Sequence, residues 1–425
     1  MTKFALAGYG TRGDIEPLAA VGRELLRRGH DVAVAVPPEL MGFAESTGLA
    51  AVPYGPELHD FLDEEFLRNM WAEFFRNIWT IRSPIRLMRK VWEPLIRHWG
   101  EVSAALTSLA ADADLLCTGL NFEQAAANVA EYYDIPFATL HHVPMRPNGQ
   151  TVSMLPAPLS RSAMTAFDWF SWRLNKKVED TQRRELGLPK ATHPSPRRIA
   201  QRKSLEIQAY DEVCFPGLAD EWAKWDGLRP FVGPLTMQLT TGADDDVAAW
   251  IAAGSPPICF GFGSMPVESP VDTVEMIAAA CAELHQRALI CAGWSDFSDV
   301  PLPAHVKVVG AVNYATVFPA CRAVVHHGGS GTTAASLRAG VPTLILSMDV
   351  NQTIWGGQLN RLKVGTTRRF SATTRETLVA DLRRILDPDY GMRAREIARH
   401  MTKSADSVIK AADLVEKFAS SRSRA

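Results

Sequence analysis

A length of 425 residues exceeds one ordinary hydrophobic core and predicts two large domains. Hydrophobic residues make up 47% and charged residues 22%, as in a water-soluble globular protein, and a formal net charge of −2 argues against nucleic acid as the main partner. The six cysteines form no C-x-x-C pair, which favours buried thiols in a reducing compartment. No signal-peptide core or bilayer-length apolar run is found, so we expect a cytoplasmic protein.

The chain opens with a pattern typical of a β-α-β unit. Residues 4–9 are predicted as a buried strand, residues 10–14 as a turn, residues 17–28 as a helix and residues 31–36 as a second strand. Further strands are predicted at residues 51–54, 115–118 and 137–141. This alternation predicts an α/β domain whose parallel sheet is doubly wound, with helices on both faces.

The first turn, residues 8–13, matches the dinucleotide-binding pattern G-x-G-x-x-G. Asp14 and Glu16 would place two carboxylates against a pyrophosphate there, which argues against a nicotinamide or flavin enzyme. Asp14 could simply cap the helix. Because Pro17 suits the first helical position, we interpret Asp14 instead as a functional carboxylate within the turn.

The segment from residue 57 to residue 99 departs from this alternation and is rich in aromatic and basic side chains. These aromatics either pack against the domain, or they form an apolar cleft for an acceptor molecule or a peripheral contact through residues 61–99 with the inner face of a membrane. The side chains predicted to line the acceptor cleft are Trp71, Phe75, Trp79, His141 and Phe167.

Residues 216–246 are loosely patterned and rich in proline and glycine, and they predict a linker that ends in three consecutive aspartates. A second alternation follows, with strands predicted at residues 258–262, 289–291, 306–309, 323–326 and 343–346. Two doubly wound, Rossmann-like domains are therefore predicted to face each other across a cleft. The acidic clusters at residues 112–114 and 244–246 are interpreted as solvated turn residues, and no metal site is predicted.

The segment Val324–Ser336 changes abruptly from an apolar run to small polar residues. It predicts a buried strand followed by a helix whose first N–H groups lack an intrahelical partner and favour an anion. His326 and His327 add imidazole donors. We interpret His327 as a phosphate ligand and His326 as structural.

These motifs resemble those of the B-type-fold glycosyltransferases, nucleotide-sugar-dependent enzymes that glycosylate antibiotics, sterols and glycolipids. Residues 10–17 are similar to the opening turn of vancomycin-type and sterol-type members, and residues 326–333 resemble their donor-phosphate loop. Residues 261–265 and 340–342 also fit. Mycobacterial glycopeptidolipid glycosyltransferases are the subgroup that the sequence resembles most.

The resemblance implies a division of labour along the chain. Residues 1–215 would bind the acceptor, residues 216–246 would form the linker, and residues 247–395 would bind the nucleotide sugar. The C-terminal segment, residues 396–425, would cross back to the first domain as a helix that spans roughly residues 394–418.

The resemblance also implies the roles of individual residues, with Asp14 as the catalytic base. The donor phosphates would contact His327, Gly329, Ser330, Gly331, Thr332, Ser264 and Thr11, and the nucleobase would lie near Trp294 and Val312. Asn351 and Gln352 correspond to the family's sugar-binding Asp-Gln pair. Because an amide donates as well as accepts hydrogen bonds, this exchange favours a deoxyhexose donor over a glucosyl one.

The implied reaction is an inverting, metal-independent transfer of a hexose or deoxyhexose. The donor would be a dTDP- or UDP-sugar, with no separate cofactor, and the acceptor a hydroxyl of a hydrophobic natural product or a glycolipid such as a glycopeptidolipid. One alternative is a sterol or macrolide glucosyltransferase. Alternatives of another class are a nucleotide-dependent oxidoreductase or epimerase and a non-catalytic binding protein with the same fold.

Overall fold

A computed structural model describes residues 1–58, 93, 96–151, 155–239, 241–263, 269–293 and 300–422. The chain divides into two compact units. Unit 1 contains Met1–Glu212, Pro216–Thr236 and Ser404–Ala425, and unit 2 contains Val213–Phe215 and Met237–Lys403.

Twelve strands are found in the described part of the chain, six in each unit. In unit 1 they are β1 (Lys3–Ala7), β2 (Asp31–Val36), β3 (Ala50–Pro53), β4 (Leu115–Thr118), β5 (Phe137–His141) and β6 (Leu205–Gln208). In unit 2 they are β7 (Ile258–Gly261), β8 (Ala288–Cys291), β9 (Val306–Val309), β10 (Ala323–His326), β11 (Thr343–Ser347) and β12 (Gly365–Arg369).

Helices connect these strands. The first seven are α1 (Arg12–Arg27), α2 (Met41–Ser46), α3 (Trp99–Ala110), α4 (Glu123–Tyr132), α5 (Ala157–Glu185), α6 (Ser195–Gln201) and α7 (Leu218–Glu221). The remaining eight are α8 (Asp244–Ala252), α9 (Pro270–Glu283), α10 (Tyr314–Val317), α11 (Ser330–Ala339), α12 (Val350–Leu362), α13 (Arg375–Ile385), α14 (Pro388–Ala398) and α15 (Ser404–Arg422). Short 3₁₀ turns lie at Pro38–Leu40, Glu212–Cys214, Ala223–Trp225, Phe318–Ala320 and Phe370–Ala372.

Each unit contains one six-stranded sheet in which every pairing between the named strands is parallel. The orders are β3-β2-β1-β4-β5-β6 and β12-β11-β10-β7-β8-β9, so both follow the doubly wound order 3-2-1-4-5-6. The predicted α/β class with two doubly wound domains is confirmed. The order reverses between β1 and β4 and between β7 and β10, and open α/β sheets bind ligands at such points.

The core of unit 2 shows why its central strand β7 is apolar throughout. Ile258 and Phe260 of β7 pack in one buried cluster, whereas Cys259 between them packs in another. Successive side chains of a strand point to opposite faces, so helices cover both faces of the sheet.

Three predicted element boundaries were wrong. Helix α1 begins at Arg12, with Pro17 inside it, because Thr11 caps its first turn. The aspartates at 244–246 form the first turn of α8, where carboxylates stabilise a helix N-terminus. The single C-terminal helix predicted near residue 394 is two helices, α14 in unit 2 and α15 in unit 1, separated at residues 399–403.

Two sheet-edge strands, β6 and β12, were not predicted. Their sequences, LEIQ and GTTRR, contain too many polar residues for a buried-strand pattern. Most of the predicted aromatic insertion, including Trp71, Phe75 and Trp79, lies outside the described residues, as do Ser264 and Trp294. None of the helices within the described ranges combines the length and apolar composition that a bilayer crossing requires.

Candidate active site

The Asp14 corner, residues 8–14, follows β1 at the point where the first sheet reverses its strand order. Asp14 is the third residue of α1, and the N–H and hydroxyl of Thr11 donate to its Oδ2 at 2.9 and 3.3 Å. This is a capping box, so the prediction that Asp14 lies in the turn before the helix was wrong. The two hydrogen bonds from Thr11 both go to Oδ2, so Oδ1 takes no part in the capping box.

The second oxygen of Asp14 faces a residue that the sequence did not indicate. His142 immediately follows β5, and its Nε2 lies 4.0 Å from Asp14 Oδ1. Their side chains are 16% and 26% exposed, respectively. The sequence feature that could have identified His142 is its place at the carboxyl end of a predicted parallel strand, because such ends meet at one edge of the sheet.

Burial changes the acid–base properties of both side chains. It raises the pKa of Asp14, while His142 and the hydrogen bonds from Thr11 oppose the increase. It lowers the pKa of His142, and the charge of Asp14 opposes that decrease. A carboxylate whose pKa moves toward neutrality is a stronger base, so this environment suits proton abstraction near neutral pH.

Backbone geometry holds the Asp14 corner in place. Gly10 has a φ of +130°, and a Cβ at this position would lie 2.4 Å from Asp14 Oδ2. Asn121 Nδ2, in the loop after β4, donates to the carbonyl of Tyr9 at 2.9 Å. The next residue, Phe122, has a φ of +60°, which a residue with a side chain rarely adopts. The two loops at the reversal point are thus joined by a hydrogen bond.

His141 was predicted to line the acceptor cleft, but its side chain is fully buried. Its Nε2 lies 2.9 Å from Glu123 Oε1, and Arg146 donates to both oxygens of the same carboxylate. Complete burial argues against contact between His141 and an acceptor, so that prediction is corrected. Phe167, on α5, is 52% exposed and is accessible to a ligand.

The His327 loop, residues 326–332, lies where the order of the second sheet reverses, between β10 and α11. Gly329 is the N-cap of α11, and Ser330, Gly331 and Thr332 form its first turn, partly exposed. The first N–H groups of a helix have no intrahelical partner and carry the positive end of its dipole. The loop therefore has the local geometry of an anion site.

The imidazole of His327 is held between two glycines. A Cβ at Gly263 or at Gly329 would lie 2.6 Å from a ring atom of His327. Its Nδ1 is buried and makes no hydrogen bond of normal geometry with the described residues. Burial lowers the pKa of His327 to about 4, with the nearby backbone of Gly261 opposing the shift. The ring is neutral at pH 7 and carries one N–H donor.

His326 is a buried residue that holds the His327 loop through a hydrogen bond. It is 1% exposed, and its Nδ1 accepts the N–H of Gly328 at 2.9 Å. Burial lowers its pKa well below the ordinary histidine value, so the ring stays neutral. The structural role predicted for His326 agrees with this hydrogen bond.

Helix α12 brings Gln352 to the His327 loop, since a Cβ at Gly328 would lie 2.9 Å from Gln352 Cβ. Gln352 Oε1 accepts the N–H of Met348 at 2.6 Å, and its own N–H donates to the N-cap residue Asp349 at 2.9 Å. Asn351 is exposed at the start of the helix. Gln352 Oε1 is thus committed to the cap, and sugar binding by this pair stays a prediction.

Two further predicted contacts can be located. Val312 is 8% exposed and packs in the core with Cys259 and Leu289, so its burial does not support a side-chain contact with a nucleobase. The Thr11 hydroxyl, a predicted phosphate contact, donates to Asp14.

Within the described residues, no group of three or more His, Cys, Asp or Glu side chains has an arrangement that could hold a metal ion.

Comparison with known families assigns both halves of the chain. Residues 4–111 match the glycosyltransferase family 28 N-terminal domain. Residues 275–418 match the C-terminal domain of erythromycin biosynthesis protein CIII-like proteins.

Relatives match over nearly the full length. An uncharacterized glycosyltransferase of Mycobacterium tuberculosis is 60% identical over 98% of this chain and 99% of its own. The vancomycin aglycone glucosyltransferase of Amycolatopsis orientalis is 27% identical over 93% of both chains.

Solved structures share the fold at lower identity. The glycosyltransferase of kitacinnamycin superposes with a TM-score of 0.71, at 18% identity, over 98% of both chains. Glycosyltransferase VinC in complex with dTDP gives a TM-score of 0.64, at 17% identity, over 98% of this chain and 100% of its own. Fold and relatives define a sugar-transferring enzyme. The chain belongs to the family of nucleotide-sugar glycosyltransferases with the B-type fold.

Proposed function

We propose that this enzyme is an inverting, metal-independent glycosyltransferase. It moves a hexose or deoxyhexose from a dTDP- or UDP-sugar to a hydroxyl of a hydrophobic natural product or glycolipid. The observation that carries the proposal is a pair of complementary corners at equivalent points of two sheets. One holds a carboxylate of raised pKa, and the other a helix N-terminus beside a partly buried imidazole.

Asp14 is the general base in this proposal. An acceptor hydroxyl is a weak nucleophile at neutral pH, so a positioned base takes its proton as the bond to the anomeric carbon forms. Because Thr11 occupies Oδ2, Oδ1 is the oxygen that takes the proton. A single displacement with no covalent sugar–enzyme intermediate inverts the anomeric centre.

The His327 loop binds the donor diphosphate in this proposal. The leaving diphosphate gains charge in the transition state, and preorganised N–H donors of α11 and His327 stabilise it. These donors supply the charge stabilisation that a metal would otherwise provide. The dTDP complex of VinC supports a thymidine or similar pyrimidine nucleotide. Asn351, in place of an acid, supports a deoxyhexose donor.

The acceptor class is proposed from the relatives. The name of the vancomycin aglycone glucosyltransferase supports a natural-product acceptor. A glycolipid acceptor such as a glycopeptidolipid is proposed from the sequence resemblance to mycobacterial glycopeptidolipid glycosyltransferases. The exposed Phe167 on α5 gives unit 1 an apolar surface for such an acceptor. A sterol or macrolide acceptor is the second candidate, and peripheral membrane contact through residues 61–99 would suit a lipid acceptor.

We expect Asp14→Asn to abolish transfer while leaving the affinity for dTDP unchanged, because the amide keeps the size of the carboxylate but cannot accept the proton. The assay incubates the enzyme with dTDP- and UDP-sugars and a panel of hydrophobic acceptors. Mass spectrometry detects the glycoside, and titration calorimetry measures dTDP affinity.

Glu16→Gln on the same helix is the matched control and should retain transfer. Full transfer by Asp14→Asn would remove Asp14 as the base. A light-absorbing complex between the wild-type enzyme and a nicotinamide cofactor would instead favour an oxidoreductase.

A further inference from the structure

We propose that His142 is a second catalytic residue, which holds the acceptor hydroxyl between its Nε2 and Asp14 Oδ1. The proposal rests on the proposed function in one respect, namely that Asp14 is the base. It adds a binding position for the nucleophilic oxygen and a donor that orients it.

The distance between the two side chains defines that position. Asp14 Oδ1 and His142 Nε2 are 4.0 Å apart, which is too long for a direct hydrogen bond. One oxygen atom can lie about 2.8 Å from both, which is the ordinary length of a hydrogen bond to each. A hydroxyl in that place makes one hydrogen bond to each side chain and aims its remaining lone pair outward.

The surroundings of Asp14 leave Oδ1, the oxygen that faces His142, as the reactive oxygen of the carboxylate. Oδ2 is held by the N–H and hydroxyl of Thr11, and Gly10 packs against the same oxygen. The titratable groups that act on His142 are Asp14, on α1, and its neighbour His141, on β5. His141 is paired with Glu123 and fully buried, so Asp14 is the functional partner.

The protonation states fit a donor and an acceptor. Burial keeps His142 neutral, so one of its ring nitrogens carries a proton. With that proton on Nε2, His142 donates to one lone pair of the hydroxyl oxygen. The hydroxyl proton then points at Asp14 Oδ1.

The reaction balances without a further group. The hydroxyl oxygen bonds to the anomeric carbon, its proton moves to Asp14 Oδ1, and the bond to the diphosphate oxygen breaks. The electron pair of that bond leaves with the nucleoside diphosphate. His142 keeps its proton and acts only on the orientation of the nucleophile.

The test compares His142→Ala with His142→Gln, because a glutamine amide places an N–H donor near the position of Nε2 but cannot act as a base. We expect His142→Ala to lower kcat at least ~100-fold, the low end of what a positioned acid–base group contributes. His142→Gln should recover part of that loss. The affinity for dTDP, measured by calorimetry, should be unchanged in both variants.

The pH profile provides a readout that a structural role would not change. In the acid range, where His142 takes up a proton, its charge opposes the rise in the pKa of Asp14, so its removal should shift the acid limb of kcat/KM to higher pH. Partial rescue by glutamine together with this shift supports the proposal. Activity of His142→Ala within a few-fold of wild type, equal losses in both variants, or an unshifted limb would overturn it.

The Asp14→Asn variant separates this proposal from the proposed function. If Asp14→Asn is inactive and His142→Ala is fully active, only the role of His142 fails. If Asp14→Asn transfers sugar as well as the wild type, the base assignment fails and the role of His142 fails with it. Thermal unfolding of each variant confirms that a lost activity does not reflect a lost fold.

Discussion

At the scale of single residues, the Asp14 corner depends on a position without a side chain. Gly10 has a φ of +130°, a conformation that L side chains rarely adopt, and a Cβ there would lie 2.4 Å from Asp14 Oδ2. Neither the backbone nor the carboxylate can relax without disturbing the capping box with Thr11. The glycine therefore sets the position of the proposed base.

We expect Gly10→Ala to destabilise the protein by about 1–3 kcal/mol, the usual cost of one strained backbone conformation, and to reduce transfer by displacing Asp14. Urea denaturation measures the first effect, and the glycoside assay measures the second. Gly13→Ala is the control, because its Cβ would meet only Thr11 Oγ1, at 3.8 Å, and alanine favours a helix. Equal behaviour of the two variants would contradict this account.

At the scale of secondary-structure elements, a buried charge network joins parts of unit 1 that are distant in sequence. Glu123 begins α4, Glu206 lies in β6, and Arg146 between them donates to both carboxylates. Arg229 also donates to Glu206. Glu123, Arg146 and Glu206 are buried and mutually paired, so β6 can be polar and still lie inside the fold.

We expect Glu123→Gln to lower the free energy of unfolding by about 3–5 kcal/mol, because it leaves Arg146 incompletely paired in a buried site. Although burial alone would raise the pKa of Glu123, Arg146 and His141 lower it to about 2. The folded state therefore binds its proton less readily than the unfolded state. The stabilisation is complete above the ordinary glutamate pKa and is lost as the pH falls through about 2.

The difference in unfolding free energy between wild type and Glu123→Gln should therefore shrink as the pH is lowered from 6 toward 2. Urea titrations at a series of pH values measure it. Glu185→Gln, at the exposed end of α5, is the control and should change little at any pH. A difference independent of pH would contradict the pairing of Glu123 with Arg146.

At the scale of the whole molecule, the chain forms two sheets of the same strand order, and its C-terminal segment then rejoins unit 1. Helix α15 follows unit 2 in sequence but belongs to unit 1, where it packs on α1. Arg28 and His30 contact Glu416 at 2.8 and 3.1 Å, and Ala412 and Val415 are fully buried. The proposed chemistry is divided in the same way, with the base in unit 1 and the diphosphate loop in unit 2.

We expect dTDP to protect residues 258–263 and 326–333 from hydrogen exchange and to leave residues 8–14 unchanged, because a nucleoside diphosphate without a sugar binds only the His327 loop in this proposal. A ligand at ~100 times its Kd stabilises the folded state that binds it by about 2.7 kcal/mol. Hydrogen exchange followed by mass spectrometry measures the protection of each residue range.

His327→Ala should abolish that protection, whereas His400→Ala, an exposed histidine of unit 2, should not. Protection confined to residues 8–14 would contradict the assignment of the diphosphate to unit 2.

Local pattern was sufficient for most of the fold. Strands β4, β5 and β10, whose residues are all buried, have the predicted bounds, because parallel strands buried on both faces are largely hydrophobic. Strand β9 also has the predicted bounds, although it lies at a sheet edge and contains Lys307. Strands β6 and β12 escaped prediction, because the partners of their polar residues come from distant segments. Residues after Pro17 were predicted as helix, but the true start at Arg12 depends on the side-chain capping of Thr11 and Asp14.

The sequence alone determined two doubly wound domains, the family, Asp14 as a candidate base, and the strand-to-helix corner at His327, since each is written in a short local pattern. Only the tertiary structure decided that Asp14 caps α1, that His141 is buried against Glu123, and that His142 faces Asp14. The physical reason is that β1 and β5 are far apart in the chain, with β4 between them in the sheet. Their side chains meet only when the parallel sheet brings the carboxyl ends of these strands to one edge.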